Sequence, residues 1–114
     1  MLRMFLKAKL RDLRVTGAQL EYEGSITIDR NYLDKAGIAP YEEVQVLNLN
    51  NGSRITTYAI AGTPGSGIVE LNGPAARSGI VGDRVIVLTY CLLTDEEAAR
   101  HVPRVISVTS PGGR

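Results

Sequence analysis

A two-residue alternation of side chains runs from position 2 to position 11. One set is apolar and comprises Leu2, Met4, Leu6, Ala8 and Leu10. The other set comprises Arg3, Phe5, Lys7, Lys9 and Arg11 and contains all four positive charges of this segment. A period of two over this length predicts a half-buried β-strand with a cationic second face.

Turn residues divide the rest of the chain into further short strands. Asn50-Asn51-Gly52 predicts a hairpin, because Asn and Gly tolerate the positive φ angles of tight turns. Asp29 is placed to cap a short helix that Gly37 ends, and Thr94 with Glu97 forms a capping-box pattern. The predicted strands cover residues 2–10, 26–28, 44–49, 54–60, 68–71, 84–93 and 105–108. This pattern predicts a mainly β protein, a closed or nearly closed β-barrel with short helices.

Size and composition narrow the classes of protein that remain. A chain of 114 residues suits one domain spanning 1–114 and is too short for two. Its net charge of +1 indicates no nucleic-acid partner, and no apolar run approaches the roughly 20 residues that cross a membrane. One cysteine, Cys91, and one histidine, His101, indicate neither a disulfide nor a metal site. We therefore expect a cytoplasmic protein, and the small core favours an oligomer.

The Gly24-Ser25 pair has a specific chemical potential. Familiar catalytic patterns such as GxSxG, the Walker A loop and HExxH are missing from the sequence. A serine hydroxyl can attack the preceding carbonyl carbon when the backbone is strained, and glycine leaves that carbonyl sterically open. The resulting ester can eliminate, which cuts the chain and leaves dehydroalanine. Loss of ammonia then gives a pyruvoyl ketone. By itself, however, a Gly-Ser pair is typical of an ordinary turn.

The surrounding segments make the pair more informative. Tyr22-Glu23-Gly24-Ser25, Lys9, residues 54–60 and residues 71–76 together resemble the pyruvoyl-dependent aspartate 1-decarboxylases. The resemblance implies a six-stranded double-psi β-barrel assembled as a homotetramer, with active sites between subunits. It also implies self-cleavage between Gly24 and Ser25, which gives a 1–24 beta chain and a 25–114 alpha chain.

The reaction implied by the resemblance is decarboxylation of L-aspartate to β-alanine and CO2, for pantothenate and coenzyme A synthesis. The pyruvoyl group at position 25 is the implied cofactor. It would form a Schiff base with the substrate amine and accept the electrons that CO2 leaves behind. The sequence leaves open whether an accessory maturation factor is needed.

Two cations are candidates for binding the two carboxylates of aspartate. Arg54 can make a planar two-point contact, and we expect it to bind the side-chain carboxylate. Lys9 offers a compact charge. For each of them the alternative is a solvated charge on a strand face.

The resemblance assigns further roles near the Gly24-Ser25 pair. Tyr58 is the proton donor, and the alternative for this residue is a tyrosine that fills the barrel wall. Thr57 contacts substrate and polarises the Gly24 carbonyl. Tyr22 orients the cleavage region. Polar groups and close backbone approach to the bound carboxylate come from Asn72, Gly73, Pro74 and Ala75. Because Thr57 and Tyr58 point to opposite strand faces, one site that uses both needs a subunit boundary or a local bulge.

Three departures from the family pattern affect the details. Arg11 and Arg77 stand where many members have histidine, and Pro74 replaces a common alanine and lacks its N–H. Two other functions remain open. One is a barrel that binds a small acid or a protein partner without being processed, and the other is a pyruvoyl decarboxylase of another amino acid.

Overall fold

The computed structural model describes residues 1–108, and strands dominate this part of the chain. The predicted tail at residues 110–114 lies outside the described residues. The strands are β1 Leu2–Arg14, β2 Gly17–Gln19, β3 Ser25–Asp29, β4 Glu43–Asn48, β5 Arg54–Gly62, β6 Val69–Asn72, β7 Arg84–Thr94 and β8 Arg104–Ser107. The helices are α1 Arg30–Ala36, a 3-10 helix Gly73–Ser78 and α2 Asp95–Ala98. In this part of the chain no helix is both long enough and apolar enough to cross a membrane.

The strands form one sheet in the order β2-β6-β3-β5-β4-β7-β1-β8. Strands β1 and β2 are six positions apart in this order, yet only Val15 and Thr16 separate them along the chain. In a flat sheet six strand spacings span roughly 29 Å. The chain from Arg14 to Gly17 reaches at most about 11 Å. The sheet must therefore curl into a barrel, although strand hydrogen bonds do not join β2 to β8.

The mainly β prediction is confirmed, and the barrel is consistent with the sheet. The strand number differs from the six that the resemblance implies, because eight strands are present in residues 1–108. Strands β2 and β8, which lie at the two ends of the sheet, have only three and four residues. They are short strands added to six inner ones.

The core consists mainly of aliphatic side chains from the strands, with Leu33 from α1 and Val15 from the link between β1 and β2. Its largest fully buried members are Leu10, Leu13, Ile26, Ile28, Leu33, Leu71, Val15, Val44, Val46, Val69, Val85 and Val87. The predicted alternation in β1 is right only for its second half. Leu2 and Met4 are 58% and 66% exposed, because they pair with Thr94 and Leu92 at the end of β7, beyond the buried part of the sheet.

Both predicted helix caps are present. The Asp29 side chain accepts a hydrogen bond from the Asn31 N–H at 2.8 Å, and Gly37 ends α1 with φ +72°. The capping box of Thr94 and Glu97 opens α2. The 3-10 helix was not predicted, since no predicted strand or helix covers residues 73–78.

Candidate active site

Ser25 lies fully buried at the first position of β3, opposite Asn72 of β6. The Asn72 side-chain amide donates two hydrogen bonds of 2.9 Å, one to Ser25 Oγ and one to Thr27 Oγ1. Because the amide is the donor in both, each hydroxyl keeps its own proton for another acceptor. The Ser25 oxygen is therefore held in one place while its O–H stays available.

Asn72 also presents a buried acceptor to this site. Its Oδ1 atom has no hydrogen-bond partner among the described residues, although the residue is completely buried. Leaving such a group unsatisfied costs about 1–3 kcal/mol, so buried groups of this kind call for an explanation. An N–H group that enters the site would satisfy it.

The 3-10 helix begins in direct contact with the backbone that precedes Ser25. Gly73, with φ +62°, is buried there, and a Cβ atom at this position would lie 2.5 Å from Tyr22 O and 2.8 Å from Gly24 N. Only glycine both adopts this conformation readily and permits the approach. The Gly24-Ser25 bond is thus packed between β6 and the start of the 3-10 helix.

A cavity of about 320 Å³ opens beside Gly24. Its volume lies at the lower end of the range for small-molecule sites, roughly 300–1,000 Å³. It is lined by Gly24, Ile55, Thr56, Thr57, Pro74, Ala75 and Ser78. One chain therefore brings five predicted site residues (Gly24, Thr57, Gly73, Pro74 and Ala75) to the neighbourhood of the Ser25–Asn72 pair.

The two predicted tyrosines flank this centre. The parallel pairing of β3 and β5 aligns Ile26 with Ala59, which puts Tyr58 level with Ser25 on the adjacent strand. The Tyr58 ring lies 6.4 Å from the Tyr41 ring, whereas its neighbour Thr57 lines the cavity. Tyr22 is 58% exposed.

The two predicted cationic anchors lie elsewhere in the chain. Lys9 is on β1, opposite Leu88 of β7, and β1 is four positions from β3 in the sheet. Arg54 starts β5, and its guanidinium donates a 2.6 Å hydrogen bond to Gln45 Oε1. Arg54 lines a separate cavity of about 570 Å³ together with Met4, Tyr90 and Leu92. Among the described residues of a single copy, neither cation lines the cavity beside Gly24.

The positions that depart from the family pattern have ordinary surroundings. Arg11 lies 3.4 Å from the Asp12 carboxylate, and Arg77 is exposed in the last turn of the 3-10 helix. Pro74 occupies the first turn of that helix, where a missing N–H costs little.

Two residues near the site were not singled out from the sequence. Thr27 shares the Asn72 amide with Ser25, and its position two residues along the same strand is a signal that could have found it. Tyr41 packs against Tyr58 with a positive φ of 72°, which is uncommon for a bulky residue. Nothing in the local sequence indicates that contact.

Similarity to known proteins places this chain in the class of amino-acid decarboxylases. The chain belongs to the aspartate decarboxylase family, whose family model matches residues 1–112. This confirms the resemblance inferred from the sequence.

Curated relatives extend the match along most of the chain. The aspartate 1-decarboxylase of Salinibacter ruber is 60% identical over 103 residues, which cover 90% of this chain and 70% of the relative. The aspartate 1-decarboxylase of Clostridium acetobutylicum is 55% identical, with 90% and 81% covered. That of Acaryochloris marina is 56% identical over 106 residues, with 93% and 81% covered.

Proposed function

We propose that this protein is an aspartate 1-decarboxylase that converts L-aspartate to β-alanine and CO2 with a pyruvoyl group made from its own Ser25. The observation that carries the proposal is the buried hydrogen bond between Asn72 and Ser25, the residue that follows Gly24. The sequence supports it, because the chain is 60% identical to a protein named for this reaction. Three features of the Ser25 hydroxyl suit its conversion into a pyruvoyl group. The hydroxyl adjoins a glycine carbonyl, is shielded from water, and lies beside an unsatisfied acceptor.

The first step proposed is cleavage of the chain by its own serine. Ser25 Oγ attacks the Gly24 carbonyl carbon, the bond between that carbon and the Ser25 nitrogen breaks, and the nitrogen takes the hydroxyl proton. The product is an ester that joins Gly24 to the Ser25 side chain. Asn72 holds the attacking oxygen, and Thr57, which lines the same cavity as Gly24, stabilises the charge on the carbonyl oxygen. Elimination then frees the Gly24 carboxylate, and water releases ammonia to leave a ketone at position 25.

Substrate is bound and protonated by side chains. The ketone supplies the electron sink for the charge that CO2 leaves behind. Arg54 binds the side-chain carboxylate of aspartate, and Lys9 provides the second positive charge. The unpartnered Asn72 Oδ1 accepts a hydrogen bond from substrate nitrogen. Tyr58 donates a proton to the α-carbon after CO2 has left.

The site proposed here is completed between subunits of a homotetramer. Neither Arg54 nor Lys9 lines the cavity beside Gly24 in one copy, and in this proposal a neighbouring copy supplies them. An apolar surface next to Arg54 supports this assembly. Its members Leu2, Met4, Tyr90 and Leu92 are 37–66% exposed.

We also propose a cytoplasmic location and a role in supplying β-alanine for pantothenate and coenzyme A. The location is supported by the single cysteine, Cys91, which has no internal disulfide partner. The need for an accessory maturation factor can be tested as well. If the purified chain cleaves itself with nothing added, no such factor is required.

Intact-mass analysis and a β-alanine assay test the proposal together. We expect the purified chain to appear as fragments 1–24 and 25–114, with the second lacking the amine of an ordinary serine terminus. The Ser25→Ala variant should stay at 12.3 kDa and release no CO2 from aspartate. An intact chain that decarboxylates aspartate at full rate would overturn the mechanism. Preferred turnover of glutamate would overturn the substrate.

A further inference from the structure

The end of the 3-10 helix that lies away from Gly73 is fixed by an unusual convergence of donors. The Ser78 carbonyl oxygen accepts three hydrogen bonds, from Asn48 Nδ2 at 3.0 Å, Asn51 Nδ2 at 2.9 Å and Ser53 Oγ at 3.2 Å. A carbonyl oxygen has two lone pairs, so three donors saturate it. The helix is thereby tied to the hairpin between β4 and β5.

Asn48 is the buried member of this group. It ends β4 and is only 4% exposed. Its Nδ2 atom donates to Asp83 Oδ2 at 2.9 Å as well as to Ser78, while its Oδ1 atom accepts from the N–H groups of Asn50 and Asn51 at 2.8 and 3.3 Å. This set uses the full hydrogen-bonding capacity of an asparagine side chain.

Asp83 is the second acceptor for the Asn48 amide, beside the Ser78 carbonyl. Its Oδ2 atom also accepts from the Ile80 N–H at 3.0 Å. The Asn48 hydrogen bond, followed by that of Ile80, holds the pKa of the Asp83 carboxyl below its usual value, so the group is charged at neutral pH. The chain between Ser78 and Asp83 comes so close that a Cβ atom on Gly79 would lie 2.8 Å from Asn48 Nδ2.

The anchored helix reaches from this cluster to the Gly24-Ser25 bond. Its six residues span roughly 12 Å at the rise of a 3-10 helix. Its first residue, Gly73, touches the backbone at Gly24, and Ser78 itself lines the cavity beside Gly24. Displacement of the anchored end therefore shifts the surface against which the reacting bond is packed.

We propose that Asn48 is a positioning residue for self-cleavage, acting through Ser78 and the 3-10 helix. This inference rests on the proposed function, since it needs the Gly24-Ser25 bond to be cut. Asn48 touches neither reacting atom. Its donors hold the helix at the distance from Gly24 that attack by Ser25 requires.

Exchanging the side chains at positions 48 and 83 preserves the net charge of the pair and separates positioning from stability. The exchange is made in two steps, of which the first is Asn48→Asp. Asn48→Asp keeps the shape and the two acceptor bonds, but it removes both donors and sets a second carboxylate beside Asp83. Adding Asp83→Asn lets the amide at position 83 donate to the carboxylate at 48, which removes the repulsion between two carboxylates. The exchange gives up the bond from the Ile80 N–H and does not restore the bond to Ser78. A matched control is Val87→Ala, which loses buried core volume on β7, a strand whose neighbours in the sheet of residues 1–108 are β1 and β4.

The assay follows cleavage by intact mass after cell-free synthesis of the full chain, corrected for the protease-resistant folded fraction. We expect Asn48→Asp to slow cleavage by roughly 10- to 100-fold. The double variant should regain part of the melting temperature that Asn48→Asp loses and should still cleave slowly, while Val87→Ala should melt earlier and cleave at the wild-type rate. The inference is overturned if Asn48→Asp cleaves at the wild-type rate or if the double variant recovers the full cleavage rate. It is also overturned if Val87→Ala slows cleavage as much as Asn48→Asp does. An uncleaved wild-type chain would instead overturn the proposed function.

Discussion

Replacing Gly73 by alanine is the most direct test of how the 3-10 helix packs against the chain before Ser25. The added Cβ would lie 2.5 Å from Tyr22 O, 2.8 Å from Gly24 N and 2.9 Å from Glu23 C, all of them backbone atoms. Real Cβ contacts stay above 3.0 Å, so the two backbones must separate by at least about 0.5 Å. A misplacement of about 1 Å can cost roughly 100-fold in rate. We expect cleavage of Gly73→Ala to slow at least tenfold.

Gly65→Ala supplies the control for backbone strain. Gly65 lies in the loop between β5 and β6 and has a similar φ of +81°, but no atom of the described residues lies within 4 Å of its added Cβ. Both variants therefore carry the cost of a left-handed alanine, about 1–2 kcal/mol. Only Gly73→Ala adds the steric clash. Cleavage rates are compared by intact mass and stabilities by thermal unfolding. Equal cleavage rates for the two variants would show that the close packing at Gly73 does not set the geometry of the reacting bond.

Four further predictions follow from single side chains. Asn72→Ala removes the donor to Ser25 Oγ, so cleavage measured by mass should slow by about tenfold or more, and an unchanged rate would remove Asn72 from the process. Arg54→Lys should raise the KM for aspartate while cleavage proceeds normally, and unchanged kinetics would remove Arg54 from the site. Leu92→Glu should dissociate the tetramer in light scattering and abolish turnover, whereas an active monomer would contradict a site shared between subunits. The lowered pKa of Asp83 means that its stabilising contribution is complete above its unfolded pKa, about 3.9, and is lost as the pH falls through the lower folded value. Acid unfolding of Asp83→Asn should lack that component, and identical acid profiles would contradict the shift.

Elements defined by neighbouring residues could be predicted from the sequence. The caps of α1 at Asp29 and Gly37 and the capping box at Thr94 depend on side chains within a few positions of the backbone groups they satisfy. The hairpin at residues 50–52 is equally local. The burial of Leu2 and Met4 was predicted wrongly, because alternation assigns a side chain to a face of the strand and does not say whether that part of the sheet is covered.

The candidate site was predicted in its residue types more than in its arrangement. The motif around Gly24 and Ser25 indicated the family, and the family model confirms it. The carboxamide that holds Ser25 comes from 47 positions further along the chain, and the contact depends on β3 pairing with β6. The roles assigned to Tyr58, Lys9 and Arg54 stay predictions.

The sequence by itself determined the family, the mainly β class and the local caps and turns, because each depends on residue types in a fixed order. Only the tertiary structure decided which surfaces meet. The pairing order of the sheet sets Asn72 beside Ser25, packs Gly73 against the backbone at Gly24, and ties Asn48 to Ser78 across 30 positions. The physical reason is that a two-residue period specifies the face on which a side chain lies and leaves open which strand becomes its neighbour.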